Sequence, residues 1–160
     1  MRMACGKSLT AGALVTASLV FAGVPFSAQP AVANWPDREL AKFVFERLDI
    51  SSFRNSTGPR RKPGQRHFSD LGVHPNKLTD TTASSDDDGE WLYQIRVLGK
   101  SDYNRDGVPE VAICFIESAL NGGSYTASGH YVLQLLEDRA VALAYTEDSL
   151  AESSNCRTSR

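Results

Sequence analysis

The chain has 160 residues, with 17 lysines and arginines against 19 aspartates and glutamates, so its formal net charge at pH 7 is −2. This slight acidity argues against nucleic acid and anionic lipid as partners, because it provides no general electrostatic attraction to either. After the first 33 residues no apolar run is long enough to cross a membrane, and the remaining length suits one domain.

Residues 1–33 have the order of a secretory signal peptide. Arg2 and Lys7 give a positive start, residues 9–24 are mostly apolar, and an A-x-A triplet ends at Ala33. We therefore predict cleavage after Ala33 and residence in the periplasm or outside the cell. The alternative is a membrane anchor, although the apolar run is short for one and no basic cluster follows it. Removing 33 of 160 residues, two of them basic and none acidic, leaves 127 residues with a net charge of −4.

A helix of about three turns is predicted at the start of the domain, which we place at residues 34–150. Pro36 suits a first helical turn, and Asp37 suits the positive end of the helix dipole. The apolar residues that recur at helical spacing are Leu40, Phe43, Val44 and Leu48. We expect this N-terminal helix to pack with its apolar face on a sheet.

Residues 51–90 are predicted to form a long polar loop, because apolar periodicity is absent and Ser, Thr, Pro, Gly, Asp and Asn dominate. Its first part is basic and its last part, 86–90, is acidic. The basic residues are candidates for binding an anion or an acidic partner, and they are Arg54, Arg60, Arg61, Lys62 and Arg66. The alternative is a solvated loop that the acidic stretch neutralises.

The second half of the chain predicts strands. Apolar and aromatic residues alternate from Trp91 to Val97, and residues 111–116 are apolar on both faces, as in a central strand. Residues 131–136 and 141–145 predict two more strands joined by a short turn. The predicted fold is therefore α+β, with the helix packed on an antiparallel meander of four or five strands.

Two cysteines, Cys114 and Cys156, remain after leader cleavage. Export would place them in an oxidising compartment, so we predict that they form one disulfide and tether the polar tail 151–160. Closing a loop of this length would contribute roughly 4 kcal/mol in the chain-entropy account. The alternative is a buried free Cys114 and a loose Cys156.

The segment between the first two predicted strands has the spacing of a cation-binding loop. Oxygen-bearing side chains alternate with other residues, a glycine follows, and Glu110 comes three residues later. Calcium requires several oxygen ligands from a short, sharply turning segment. The candidate ligands are Asp102, Asn104, Asp106, the carbonyl of Val108 and Glu110. The alternative is a metal-free hairpin connection, because Asn-x-Asp-Gly is also good turn chemistry.

These nine residues resemble the D-x-[DN]-x-D-G-x-x-[DE] calcium loops of EF-hands, dockerins and integrin-type propeller repeats. The resemblance implies calcium binding by the candidate ligands. Ile113 occupies the position of the bidentate glutamate that closes an EF-hand, and the flanking residues predict strands, so no helix-opening switch is implied. As a whole, the chain resembles small exported bacterial proteins that carry such a loop between strands.

Together these features predict an exported, non-enzymatic binding module that calcium stabilises. Its target would be a protein or an envelope component, contacted through residues 51–66 or through the glycine-rich loop 121–125. One alternative is a periplasmic inhibitor or immunity protein directed against a secreted hydrolase, and another is a small secreted hydrolase. We assign no catalytic residue, since nothing in the sequence places Glu117 opposite a second carboxylate.

Overall fold

The computed structural model describes residues 34–53, 57–86, 89–143 and Cys156. All of them belong to the compact unit Ala31–Arg160. The predicted signal peptide, the candidate Arg54 and the tail 151–160 apart from its cysteine lie outside the described residues. Within the described part of the chain, no helix has the length and apolar character needed to span a membrane.

Six antiparallel strands in the described part of the chain form one sheet, in which each strand pairs with its neighbours in the chain. The strands are β1 Lys77–Leu78, β2 Thr82–Ser85, β3 Trp91–Ser101, β4 Glu110–Ala119, β5 Thr126–Leu136 and β6 Arg139–Ala142. The antiparallel sheet with one α-helix is confirmed. The predicted number of four or five strands is wrong.

The additional strands lie in the segment that we predicted as a polar loop. Strands β1 and β2 have only two and four residues, too few to show an alternation of apolar and polar side chains. Strand β2 is held by its neighbour, since Ala83 lies opposite Ile95 of β3 and both side chains are fully buried. This short hairpin therefore forms because β3 provides a partner.

The one α-helix among the described residues, α1, spans Leu40–Arg47 and buries Ala41, Val44 and Phe45. It has two turns, and the irregular segment 34–39 precedes it, so the prediction of a three-turn helix at the start of the domain is wrong. The reason is visible at Glu39, whose φ of 53° is left-handed and cannot continue a helix backwards.

The irregular segment is instead bonded to the β3–β4 region. The Trp35 indole N–H donates to the carbonyl of Pro109 at 2.8 Å, and Lys100 forms a salt bridge of 3.0 Å with Asp37. Trp35 is buried, with 5% of its surface exposed. Residues expected to begin the helix therefore lie against the loop that leads into β4.

Strand β4 runs through the middle of the sheet and is buried on both faces, as predicted for residues 111–116. Val111, Ile113 and Phe115 face the main core, which α1 covers together with the 3₁₀ turn Phe68–Leu71. Ala112 belongs to a smaller cluster on the opposite face. Phe68 stacks on Phe45 of the helix with their ring centroids 4.5 Å apart, which brings part of the predicted loop into the core.

The predicted disulfide joins Cys114 to Cys156, with their Cα atoms 5.6 Å apart and a sequence separation of 42. Cys114 is fully buried in the middle of β4. The bridge therefore attaches the tail to the centre of the sheet, where closing the loop reduces the conformational entropy of the unfolded chain.

Asp49 connects the end of the helix to strand β6. Its carboxylate is buried and forms a salt bridge of 3.0 Å with Arg139, and it also accepts hydrogen bonds from the backbone and side chain of Ser51. Burial acts to raise the pKa of Asp49, but the hydrogen bonds from Ser51 and Arg139 outweigh it and leave the pKa below 3.8. The folded protein therefore favours the charged carboxylate.

We predict that Asp49→Asn lowers the free energy of unfolding at pH 7 by about 2 kcal/mol, because a buried charge-assisted hydrogen bond is weakened. A matched control is Asp138→Asn, since the Asp138–Arg47 pair at 3.2 Å is well exposed and its loss should cost no more than about 0.5 kcal/mol. Urea unfolding of both variants provides the comparison, and equal losses would contradict it.

The acid dependence of the same variant gives a second check. The folded state lowers the pKa of Asp49. The contribution of its carboxylate to the free energy of unfolding is therefore complete above pH 3.8, the ordinary pKa, and is lost as the pH falls through the lower pKa of the folded state. The difference in stability between the wild type and Asp49→Asn should therefore be full at pH 7 and shrink below about pH 3.8. A difference that is independent of pH would contradict this assignment.

Candidate functional sites

Residues 102–109 connect β3 to β4 in a sharply turning loop. Arg105 and Gly107 take left-handed φ angles of 63° and 87°, which reverse the chain twice in a short distance. The Asp102 carboxylate accepts the backbone N–H groups of Asp106 at 3.1 Å and Gly107 at 3.0 Å. The loop is therefore folded around its own first acidic residue.

The loop brings three carboxylates together. Asp102, Asp106 and Glu110 each offer one oxygen, and these three atoms lie within 4.8 Å of one another. Oxygens on opposite sides of a calcium ion are about 5 Å apart, whereas around magnesium they are about 4 Å apart. Three oxygens within this limit can surround a divalent cation of either size.

Glu110 differs from the two aspartates because its side chain is fully buried. Its Oε2 accepts the backbone N–H groups of Tyr103 at 2.8 Å and Asn104 at 3.4 Å. Its Oε1 is also buried and has no hydrogen-bond partner within the described parts of the chain. A buried carboxylate oxygen without a partner is costly, and a bound cation is one way to offset that cost.

Asn104 and Val108, the other predicted ligands, both contact Asp106. The Asn104 side-chain oxygen accepts the Asp106 N–H at 2.9 Å, and its amide nitrogen donates to the Asp106 carboxylate at 2.8 Å. The Val108 N–H donates to the other Asp106 oxygen, also at 2.8 Å. Their observed role is to fix the orientation of that carboxylate.

Four of the five predicted basic residues line one cavity of about 500 Å³, and they are Arg60, Arg61, Lys62 and Arg66. No acidic residue is among the described residues that line it. The salt bridges found in the described ranges use cations elsewhere in the fold. We call this feature the basic cavity.

The backbone around the basic cavity is held by two side chains. Asp70 accepts the N–H groups of Arg66 at 2.8 Å and His67 at 2.9 Å, and these bonds lower its pKa. Gln65 accepts the Lys62 N–H at 2.8 Å and donates to the Asp70 carbonyl at 3.0 Å. The segment therefore has a defined conformation that holds its cationic side chains close together.

The expected neutralisation of this segment by the acidic stretch is not seen at Asp86. Its carboxylate instead pairs with Lys77 at 2.6 Å and accepts from the Asn76 amide at 2.8 Å. These contacts, the Lys77 bond first, lower the pKa of Asp86. Asp87 and Asp88 lie outside the described residues.

A second cavity, which the sequence did not predict, lies at the far end of β4. It measures about 550 Å³. Its lining residues are Trp91, Tyr93, Glu117 and Tyr125, together with Gly58, Pro59 and Arg60. Glu117 is buried, with 2% of its surface exposed. We call this feature the aromatic cleft.

Two donors fix the Glu117 carboxylate in the aromatic cleft. The Tyr125 hydroxyl donates to its Oε1 at 2.6 Å, and the backbone N–H of Gly58 donates to its Oε2 at 2.9 Å. The bond to Glu117 is the main reason that the pKa of Tyr125 is raised above 10.0. The available sequence signal was an acidic residue that ends an otherwise apolar strand, with aromatic residues at alternate positions of the preceding strand.

We predict that Glu117→Gln lowers the pKa of Tyr125 towards 10.0, because a neutral amide accepts the phenolic proton less strongly than a carboxylate does. Tyr103 is the internal control, since burial alone raises its pKa. Titration followed by NMR of labelled tyrosine rings should show a lower pKa for Tyr125 and an unchanged pKa for Tyr103. An unchanged pKa of Tyr125 would contradict the assigned hydrogen bond.

Three comparisons with known proteins were made for the whole chain. No protein-family model, no curated protein and no solved structure matches it. The loop-level likeness to calcium-binding segments stays a resemblance of nine residues. The function proposed below therefore depends on the geometry of the acidic loop and of the basic cavity.

Proposed function

We propose that this chain is an exported, non-enzymatic binding module, stabilised by calcium at the acidic loop, that holds an anionic group of its target in the basic cavity. The observation that carries the calcium assignment is the buried Oε1 of Glu110, which lacks a hydrogen-bond partner among the described residues and lies in a group of three carboxylates. The target would be a protein or a component of the cell envelope.

The charge of this site favours a divalent cation such as calcium. Three carboxylates at this separation repel one another, and a divalent cation turns that repulsion into attraction. The expected affinity is modest, on the order of 10⁻⁴ to 10⁻³ M, as in extracellular modules with few charged ligands. The role of the ion would be to fix the β3–β4 connection and the start of the central strand.

Export is supported by the disulfide between Cys114 and Cys156, because such bridges persist in oxidising compartments. The signal-like order of residues 1–33 points the same way. An exported domain also meets calcium at concentrations that a weak site needs.

Anion binding is supported by the clustering of Arg60, Arg61, Lys62 and Arg66 around one cavity whose described lining is free of acidic residues. Guanidinium groups form bidentate, charge-assisted hydrogen bonds with phosphate and carboxylate oxygens. The hydrogen bonds that Asp70 accepts from Arg66 and Gln65 already order the segment, so less conformational entropy is lost when a ligand binds.

We predict that calcium at about ten times its dissociation constant stabilises the protein by about 1.4 kcal/mol, and raises its melting temperature by about 5 °C. Asp106→Ala should abolish this gain, because it removes one of the three carboxylates. Asp80→Ala is the matched control, since Asp80 is an exposed aspartate outside the loop and its removal should leave the gain intact.

Glu110→Gln separates calcium binding from damage to the fold. It keeps the size of the side chain while removing the carboxylate, so the protein should still unfold cooperatively in chelator and should lose the calcium response. Equal melting temperatures of the wild type in calcium and in chelator would contradict the assignment of calcium.

We predict that tripolyphosphate binds to the basic cavity, and that Arg61→Glu weakens this binding by about tenfold through the loss and reversal of one charge. Arg38→Glu is the control, because it makes the same change of net charge at an exposed residue outside the cavity. Isothermal titration calorimetry at two salt concentrations should show weaker binding at high salt. Equal effects of the two variants would contradict a defined site.

A further inference from the structure

The aromatic cleft and the basic cavity are parts of one continuous surface. Gly58, Pro59 and Arg60 line both of them, so a single ligand can contact the two together. The cleft alone has a volume of about 550 Å³, within the range of sites that take small molecules.

The walls of the cleft offer flat rings. The Tyr125 ring meets Trp91 edge to face at 5.7 Å, and Trp91 lies nearly parallel to Tyr93 at 6.4 Å. Tyr125 leaves 45% of its surface exposed, while its hydroxyl donates a hydrogen bond to Glu117. The negative face of an aromatic ring attracts the weakly positive C–H groups on one side of a sugar ring.

The Glu117 carboxylate adds a hydrogen-bond acceptor to these rings. Each of its oxygens accepts one bond inside the protein, from Tyr125 and from Gly58, and a carboxylate oxygen can accept two. A ligand that fits here must therefore present hydrogen-bond donors, and the hydroxyl groups of a sugar are such donors. A bare anion placed in the cleft would be repelled by the carboxylate.

The charge of the shared wall selects among ligands that donate hydrogen bonds. Arg60 lines the cleft as well as the basic cavity, and Arg61 and Lys62 follow it directly. An organic cation would be repelled by these three side chains, whereas an acidic group on the ligand would pair with them. Ring stacking, hydroxyl donors and a negative charge occur together in acidic sugars.

We propose that the joined cleft and cavity bind an acidic saccharide, a sugar chain that carries carboxylate, phosphate or sulfate groups. One sugar ring lies against Trp91 and Tyr125 and donates hydroxyl hydrogen bonds to Glu117. Its acidic group, or that of the next sugar, pairs with Arg60 and the neighbouring cations. This inference rests on the proposed function and names the chemical class of its target.

The test is calorimetric titration of the full mature chain with four probes. These are trigalacturonate, a sulfated tetrasaccharide derived from heparin, the neutral sugar maltotriose, and tripolyphosphate. At least one acidic saccharide should bind, and maltotriose should bind more weakly because it lacks the charge. Tyr125→Ala and Glu117→Gln should each weaken the binding of the acidic saccharide by about tenfold, and Tyr125→Ala should leave the binding of tripolyphosphate unchanged.

Leu136→Ala is the matched control, since Leu136 is a comparably exposed apolar residue outside the cleft, at 42% against 45% for Tyr125. It should leave all titrations unchanged. Binding of tripolyphosphate without either acidic saccharide would overturn this inference and leave the proposed anion site standing. If no anionic probe binds to a protein that still melts cooperatively, both this inference and the proposed anion site are overturned. Equal binding of maltotriose and the acidic saccharides would overturn the role of the charge.

Discussion

Strand β4 is buried on both faces, and a buried glutamate lies near each of its ends. Glu110 begins the strand at the acidic loop, and Glu117 follows seven residues later, which is about 23 Å in an extended strand. Between them Cys114 forms the disulfide at the centre of the sheet. A strand in this position cannot leave a carboxylate without donors or a cation, because burial penalises an uncompensated charge. The proposed calcium site at Glu110 and the proposed saccharide site at Glu117 follow from how each buried carboxylate is compensated.

The two glutamates differ in the hydrogen-bond donors that their carboxylates receive, and we propose different roles for them on this basis. Glu117 has a donor on each oxygen, Tyr125 on one and Gly58 on the other, so the protein itself fixes it as an acceptor. Glu110 has backbone donors on Oε2 and no described partner on Oε1. With two aspartates beside it, the remaining oxygen is the one that we propose to bind a cation. The length of one strand thus separates the proposed stabilising site from the proposed recognition site.

Local patterns in the sequence predicted the features that depend on neighbouring residues. The central strand followed from an apolar run on both faces, and the acidic loop from its spacing. The helix boundary was wrong because the Trp35 indole bonds to Pro109, 74 positions away, and overrides the local preference of Pro36 and Asp37. The aromatic cleft was missed for the same reason, since Gly58 and Glu117 are 59 positions apart. Contacts at such separations leave no periodic signal in one sequence.

The central claim is that the orphaned oxygen of Glu110 belongs to a cation site. Native mass spectrometry of the mature protein, sprayed from calcium and from chelator, tests it most directly, because it counts bound ions on a chain of known mass. The account predicts one calcium ion per chain, lost in chelator and lost in Glu110→Gln, with the mass of the intact disulfide in both conditions. A wild-type chain that carries no calcium at about 1 mM, near the expected dissociation constant, would contradict it.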